Sequence, residues 1–267
     1  MPLTHRRIFQ VDAFGRGPFT GNPAAIIPLD DWLPDHLLQA IAGENNLSET
    51  AFYVPRQQGF DLRWFTPTRE VDLCGHATLA TAWVIFELFD FKGREIVFHT
   101  RSGQLEVRRE DTTRLSMLFP ARRPQEIELT PDIERMVDQP VTLALRSRDL
   151  MLVLDSEEAV RHARPNLDMM ARDTSLGVII TAAGEHCDFV SRFFAPNAGI
   201  DEDPVTGSAH CTLTPFWAER LGKVELRAQQ LSRRGGWLEC HALGDHVRMV
   251  GEAHLYLDGR IHVPFET

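Results

Sequence analysis

The sequence predicts a mixed α/β (α+β) protein made of two similar lobes, and three observations support this prediction. β-like runs alternate with a small number of helical segments along all 267 residues. The helical segment at 75–89 is apolar on nearly every side, which is typical of a helix enclosed within a domain. A strand–loop–helix unit of the first half recurs in the second half. We therefore expect an N-terminal lobe over residues 1–119 and a C-terminal lobe over residues 120–267.

The first half contains another predicted helix in the segment 30–45. There, Leu33, Leu37 and Ile41 recur every four residues, and Asp31 can cap the start of the helix. The remaining β-like runs of this half are 8–14, 24–29, 47–56, 61–67, 95–100, 104–109 and 114–119.

The second half repeats this plan loosely. Arg, two aromatic residues, one further residue and Pro occur in order at 63–67 and again at 192–196. Each run is followed by an acidic loop, a Gly with small neighbours and a helix, so we favour an internal duplication over chance similarity. The predicted elements of this half are strands at 150–156, 177–183 and 188–196, a helix at 206–222 and four β-like runs within 223–263.

Composition and charge exclude several classes of function. The net charge is −10 with a pI near 5.5, and no cluster of Lys and Arg suits nucleic acid or an anionic membrane surface. The N-terminus lacks the apolar run of a signal peptide, and no segment has the roughly 20 apolar residues of a membrane helix. Without C-x-x-C pairs, the cysteines indicate free thiols in a reducing cytoplasm: Cys74, Cys187, Cys211 and Cys240.

Two predicted helix starts form a candidate binding site for a carboxylate. The first turn of a helix leaves backbone N–H groups unpaired and carries partial positive charge. Gly75 and Gly207 precede the two helices in matched positions, and small residues such as Ser208 follow. We therefore expect a cleft between the two lobes in which these helix starts bind a small carboxylate-bearing molecule.

Three side chains near these positions could move or stabilise a proton. Glu49 lies on a β-like run and, if it faces inward, becomes a candidate for proton transfer; a strand-edge glutamate in water is the alternative. His76 stands at the first turn of the apolar helix and could instead simply cap it. Asp203 lies in an acidic run before the second helix, where an N-cap role is the alternative.

Cys74 precedes the first helix and admits two interpretations. Beside a helix start and a histidine it could be a reactive thiolate, or it could be a small buried hydrophobic side chain. A racemase that uses two thiols needs a second cysteine at the matching place in the other lobe. We assign Asp203 to that place, which argues against two-thiol chemistry. Metal binding is also disfavoured, because these candidate ligands match no common zinc spacing: Cys74, His76, His210 and Cys211.

Four ordered motifs resemble the PhzF-like family, named for an isomerase of phenazine biosynthesis. They are GNPAAI, NNLSETAF, RWFTPTREVDLCGHATLATAWV and DEDPVTGSAH. The resemblance implies a diaminopimelate-epimerase-like fold with two pseudo-symmetric lobes, each a mostly antiparallel sheet wrapped around a central apolar helix. It also implies a homodimer.

The function implied by this resemblance is a cofactor-independent isomerase. The phenazine isomerase moves a proton within trans-2,3-dihydro-3-hydroxyanthranilate, so the resemblance implies that Glu49 shuttles a proton while His76 and Asp203 hold and polarise the substrate. The substrate carboxylate would meet Gly75, Gly207 and Ser208, with Cys74 beside it. This chain departs from the phenazine isomerase at two positions of the segment DLCGHAT. Cys74 stands in place of a small apolar residue, and Ala77 stands in place of a proline after the histidine. These departures leave the substrate open.

Two alternatives remain at this stage. One is an epimerase or racemase that uses Cys74 as a base. The other is a non-catalytic protein of the same fold that binds a small acid.

Overall fold

The computed structural model describes residues 3–264, and the chain divides there into two compact units. One unit ends at Met117 and takes in the chain again from Gly251 onward, whereas the other is Leu118–Val250. The prediction had placed everything after residue 119 in the second lobe. The structure differs because the last strand pairs with the first strand of the chain. Across residues 3–264, every helix is too short or too polar to cross a membrane.

The first unit begins with strands on either side of a short helix. Its elements are β1 (Leu3–Ala13), β2 (Asn22–Pro28), α1 (Asp35–Asn45), β3 (Glu49–Pro55), β4 (Phe60–Phe65), β5 (Glu70–Val71), α2 (Gly75–Leu88), β6 (Glu95–Thr100), β7 (Gly103–Arg109) and β8 (Arg114–Pro120). Strand β8 runs on into the second unit.

The second unit has more short helices. Its elements are β9 (Gln125–Ile127), α3 (Pro131–Glu134), β10 (Val141–Arg146), β11 (Leu150–Leu154), α4 (Glu157–His162), α5 (Leu167–Met170), β12 (Val178–Ala183), β13 (Phe189–Ala195), a 3-10 turn (Pro196–Ala198), β14 (Ile200–Asp203), α6 (Gly207–Leu221), β15 (Glu225–Gln230), β16 (Gly236–Leu243) and β17 (His246–Pro264). The four predicted β-like runs after residue 222 are three strands, because β17 continues without a break for 19 residues.

The two units share one order of strand pairing. In the first unit, β1–β2 and β3–β4–β5 are antiparallel, whereas β2–β3 and β4–β6 are parallel. In the second unit, β10–β11 and β12–β13–β14 are antiparallel, whereas β11–β12 and β13–β15 are parallel. The helices α2 and α6 lie at the same point of this order. The predicted fold, two similar units that each consist of a mostly antiparallel sheet around a central helix, is therefore confirmed.

A matched ion pair explains the repeated sequence run. Arg63 donates two hydrogen bonds of 2.7 and 2.8 Å to Glu70, and its guanidinium lies 5.1 Å from the centre of the Phe65 ring. In the second unit, Arg192 makes the same two-pronged contact with Glu202 at 2.7 and 3.0 Å and lies 5.0 Å from the Phe194 ring. The guanidinium thus joins a strand to the short strand after it in both units.

Both central helices are buried, as predicted for the first of them. Ten of the fourteen residues of α2 are buried, and so are nine of the fifteen in α6. Pro215 lies inside α6 and has no N–H to donate to the carbonyl of Cys211. The backbone N–H of Arg122 donates to that carbonyl instead, at 2.9 Å, so the proline is tolerated.

Helix α1 begins later than the sequence predicted. It starts at Asp35 with Pro34 as its N-cap, and the carboxylate of Asp31 accepts a hydrogen bond from the N–H of Trp32 instead of capping the helix. The helix ends where Asn46 adopts a left-handed conformation, which asparagine tolerates better than most residues. The predicted cap at Asp31 is therefore wrong.

Candidate active site

Glu49 and His76 come together in the first unit. Glu49 opens β3, directly opposite Ala24 of the parallel neighbour β2, and His76 is the second residue of α2. The Glu49 Oε2 and His76 Nε2 atoms are 3.1 Å apart, and the two side chains are only 12% and 6% exposed. The strand-edge alternative, in which Glu49 points into water, is therefore wrong.

These two atoms are close but are not aligned as a hydrogen bond. Within residues 3–264, both Glu49 Oε2 and His76 Nε2 are buried and have no hydrogen-bond partner. A buried polar atom without a partner is costly. A third polar group that meets both atoms would therefore be stabilised at this place.

The other ring nitrogen of His76 faces two further side chains. Its Nδ1 atom lies 3.5 Å from the Cys74 Sγ atom and 3.3 Å from the amide nitrogen of Asn22. Asn22 is fully buried at the start of β2. The sequence reasoning did not select Asn22, although it stands in the GNPAAI motif that carried the family resemblance. We call these four residues the Glu49 cluster: Asn22, Glu49, Cys74 and His76.

The electrostatic environment separates the histidine from the cysteine. Burial lowers the pKa of His76, but the charges of Cys74 and Glu49 outweigh it and hold this pKa well above its usual range. Burial, reinforced by the negative charge of Glu49, raises the pKa of Cys74 to about 11. At neutral pH the thiol is uncharged, so of these two neighbours only Glu49 then favours a positive charge on His76.

The Glu49 cluster also includes donors that could hold a metal ion. One atom each from Glu49, Cys74 and His76 lies within 4.8 Å of the others. Thiolate, imidazole and carboxylate together suit zinc. The sequence had considered His210 and Cys211 in place of Glu49. In the structure His210 belongs to the second unit, where its Nδ1 atom donates to the carbonyl of Thr206 at 2.8 Å.

Asp203 lies in the second unit and shapes the turn before α6. Its carboxylate accepts a hydrogen bond from the hydroxyl of Thr206. The side chain of Gln230 joins them, because its amide nitrogen donates to the Asp203 carbonyl at 2.7 Å and its oxygen accepts from the Thr206 N–H at 2.8 Å. The N-cap of α6 is Thr206, just as Cys74 is the N-cap of α2. The residue that matches Cys74 is therefore Thr206 and not Asp203 as predicted.

The residues that begin the two helices differ in their partners. Gly75 is half-buried at the start of α2, whereas Gly207 is buried at the start of α6. The hydroxyl of Ser208 accepts a hydrogen bond of 2.7 Å from Arg148. The sequence reasoning missed Arg148, which lies 60 positions away and belongs to no motif that we recognised.

Known proteins resemble this chain along nearly its whole length. A family model described as phenazine biosynthesis-like protein matches residues 11–259. A curated relative from Pseudomonas aeruginosa, named "uncharacterized isomerase", is 54% identical over 95% of this chain and 97% of its own length. The crystal structure of a PhzF-family phenazine biosynthesis protein from Enterococcus faecalis is 43% identical, with a TM-score of 0.95 over 97% of this chain and 100% of that one.

A more distant solved structure shows likeness of fold alone. It is a hydroxyproline epimerase from Agrobacterium vitis that is 8% identical, with a TM-score of 0.61 over 97% of this chain and 93% of that one. Together the comparisons confirm the predicted family, the fold class and an isomerase as the class of enzyme.

Proposed function

Because the chain belongs to the phenazine biosynthesis-like family, we propose that this isomerase moves a proton between two carbon atoms of a small carboxylate-bearing substrate. The reaction is similar to that of trans-2,3-dihydro-3-hydroxyanthranilate isomerase. The observation that carries the proposal is the shielded pair of Glu49 and His76, whose facing atoms are 3.1 Å apart.

Glu49 is the proton carrier in this proposal. Its carboxylate removes a proton from one carbon, and the electron pair of the broken C–H bond enters the neighbouring unsaturated system. The resulting carboxylic acid returns the same proton to another carbon, which restores the carboxylate and completes the isomerisation. A positioned acid–base group of this kind accelerates a reaction by about 10²–10⁴-fold.

His76 stabilises the intermediate of this reaction. Once Glu49 has taken the proton it is uncharged, and the imidazolium beside it then faces the negative charge that has moved to the substrate. A fixed positive charge in a site shielded from water is a strong contribution to such stabilisation. Asn22 and Cys74, within 3.5 Å of His76 Nδ1, orient the ring.

The remaining predicted site residues are substrate contacts in this proposal. Asp203 polarises the substrate, and the backbone N–H groups of Gly75, Gly207 and Ser208 bind its carboxylate. Unpaired N–H groups at the start of a helix are suited to this role. The substrate-binding set also includes Cys74.

The test follows deuterium from solvent into carbon. The protein is incubated in D₂O with trans-2,3-dihydro-3-hydroxyanthranilate and with a panel of small unsaturated carboxylic acids, and incorporation is read by mass spectrometry. We expect Glu49→Gln to reduce incorporation by about 10²-fold or more, because the amide cannot accept the proton. Glu44→Gln is the matched control, since Glu44 is exposed five positions earlier. Equal incorporation by Glu49→Gln and the native protein would remove Glu49 from the reaction.

A cysteine-assisted epimerase is a second candidate. It is favoured by the 3.5 Å approach of Cys74 Sγ to His76 Nδ1, because a positive charge on His76 stabilises the thiolate. The burial that raises the pKa of Cys74 to about 11 opposes it, because only the thiolate is an effective base.

Three further features complete the proposal: a reaction that needs no cofactor, a cytoplasmic location and a homodimer. Isomerisation by proton transfer requires no electron carrier, and the residues described above supply the acid and the base. Deuterium incorporation that is unchanged after dialysis against EDTA, and a mass near twice 30.3 kDa by light scattering, are the expected results.

A further inference from the structure

We propose that Arg148 and Arg122, together with the hydroxyl of Ser208, form a binding site for a carboxylate group beside helix α6. This inference rests on the proposed function, in which Ser208 contacts the substrate carboxylate, and it adds two cationic side chains to that contact. We call the group the Arg148 cluster: Arg122, Arg148, Asp149 and Ser208.

Arg148 is placed against α6 by the tight turn that joins β10 to β11. The backbone N–H of Ser147 donates to the carbonyl of Asp149 at 3.1 Å, which closes the turn. The hydroxyl of Ser147 lies 3.1 Å from that of Thr212, and Arg148 donates to the Ser208 hydroxyl at 2.7 Å. Positions 208 and 212 are four residues apart and share one helix face, so the whole turn lies along that face.

Arg122 is held on the same part of the helix for a different reason. Its backbone N–H donates to the carbonyl of Cys211, which Pro215 cannot use. Cys211 lies three residues after Ser208, one turn along the helix. The Arg122 Nη1 atom is buried and has no hydrogen-bond partner within residues 3–264. A guanidinium has five N–H donors and no acceptor, so only an acceptor such as an anion can satisfy this atom.

The cluster has more positively charged than negatively charged side chains. Two guanidinium groups face one carboxylate, that of the fully buried Asp149. Arg148 contacts this carboxylate at 3.2 and 3.4 Å, longer than the 2.7–2.9 Å typical of strong ionic hydrogen bonds. Burial raises the pKa of Asp149, while burial and the charge of Arg148 lower the pKa of Arg122. The positive charge of Arg148 beside Arg122, with Asp149 as the one carboxylate of the cluster, favours the binding of an anion.

The ligand class follows from the geometry of the donors. A guanidinium presents parallel N–H groups that match the two oxygens of a carboxylate, and the hydroxyl of Ser208, which accepts from Arg148, still has its own O–H to donate. The alternative is that Arg148 only braces the turn against α6. In that case its removal changes the stability of the protein but not its affinity for anions.

The experiment measures the binding of sodium benzoate by calorimetry, with benzamide as the uncharged control. We expect saturable binding of benzoate by the native protein and none of benzamide. Arg148→Gln and Arg122→Gln should each weaken benzoate binding by about 10- to 100-fold, as expected for the loss of a hydrogen bond to a charged group. Arg123→Gln is the matched control, because Arg123 is adjacent but exposed and should leave the affinity unchanged.

Arg148→Lys keeps the protein folded if the glutamine variant does not fold, because it retains the charge and loses only the two-pronged geometry. Benzoate affinity that is the same in the native protein, Arg148→Lys and Arg122→Gln would overturn the inference, and so would equal binding of benzamide. Binding that depends on Arg148, in a protein that incorporates no deuterium, would support this site and contradict the proposed reaction. Deuterium incorporation, together with a benzoate affinity that neither arginine variant changes, would support the proposed reaction and contradict this site.

Discussion

The start of α2 and the start of α6 occupy matching places in two units with the same strand pairing, but their chemistry differs. At α2, the imidazole of His76 lies between a carboxylate and a thiol, and its pKa is raised. At α6, the turn is tied together by hydroxyl and amide groups around Thr206, and burial lowers the pKa of His210 to about 4. The same fold thus raises the pKa of a histidine in one unit and lowers that of a histidine in the other.

The ion pairs away from the helix starts, in contrast, are alike in the two units. Arg63 with Glu70 and Arg192 with Glu202 are alike in geometry and in the aromatic ring below the guanidinium. Residues that join strands are thus alike in both units, whereas residues beside the helix starts have diverged. This contrast indicates that the contacts joining the strands are common to both units, whereas the residues of the proposed proton transfer, Glu49 and His76, belong to the first unit.

The largest expected effect concerns the ion pairs that join the strands. Arg192→Met should lower the free energy of unfolding by about 3 kcal/mol, because it leaves the partly buried carboxylate of Glu202 without the Arg192 guanidinium. Arg63→Met should cost less, because Arg101 still pairs with Glu70 at 2.7 Å. Urea unfolding measures both. Arg108→Met is the control, since the Arg108 side chain is 65% exposed in its pair with Glu95 and should cost less than about 1 kcal/mol. An equal loss in the two variants would show that Arg101 does not compensate for Arg63.

The pH dependence of stability should have opposite signs for the two histidines. The pKa of His210 falls from 6.5 to about 4 on folding, so its contribution is complete above pH 6.5 and is lost as the pH falls towards 4. The pKa of His76 is raised, so its contribution is complete below pH 6.5 and is lost as the pH rises through the raised pKa.

These contributions are measured by comparing the native protein with His210→Asn and His76→Asn in urea at several pH values. Relative to His210→Asn, the native protein should lose about 3 kcal/mol between pH 6.5 and pH 4. Relative to His76→Asn, it should lose stability on the alkaline side instead. Parallel pH profiles for the two variants would contradict the contrast between the helix starts.

The smallest effect is expected at Cys74. Cys74→Ser should keep deuterium incorporation within about tenfold of the native rate, because a thiol with a pKa of about 11 is not the base at neutral pH. Cys187→Ser controls for the loss of a cysteine elsewhere. If Cys74→Ser loses nearly all activity, and iodoacetamide inactivates only proteins that retain Cys74, the epimerase alternative is favoured over proton transfer by Glu49.

The amino-acid sequence by itself determined the parts of this protein that depend on local pattern. The apolar segment around α2, the repeated Arg-aromatic run and the motifs of the family are all contiguous in sequence, so periodicity and spacing are enough to find them. Glu49 and His76 could be selected on the same basis, since each stands in a recognisable motif.

Only the tertiary structure decided which side chains are partners. Asn22, Glu49 and His76 lie on three elements, and Arg148 meets Ser208 across 60 positions of sequence. The match of Thr206 with Cys74 depends on where a helix begins, and the burial of Glu49 depends on what covers the strand. Such contacts arise from the long-range pairing of strands and the packing of helices, which no local pattern encodes.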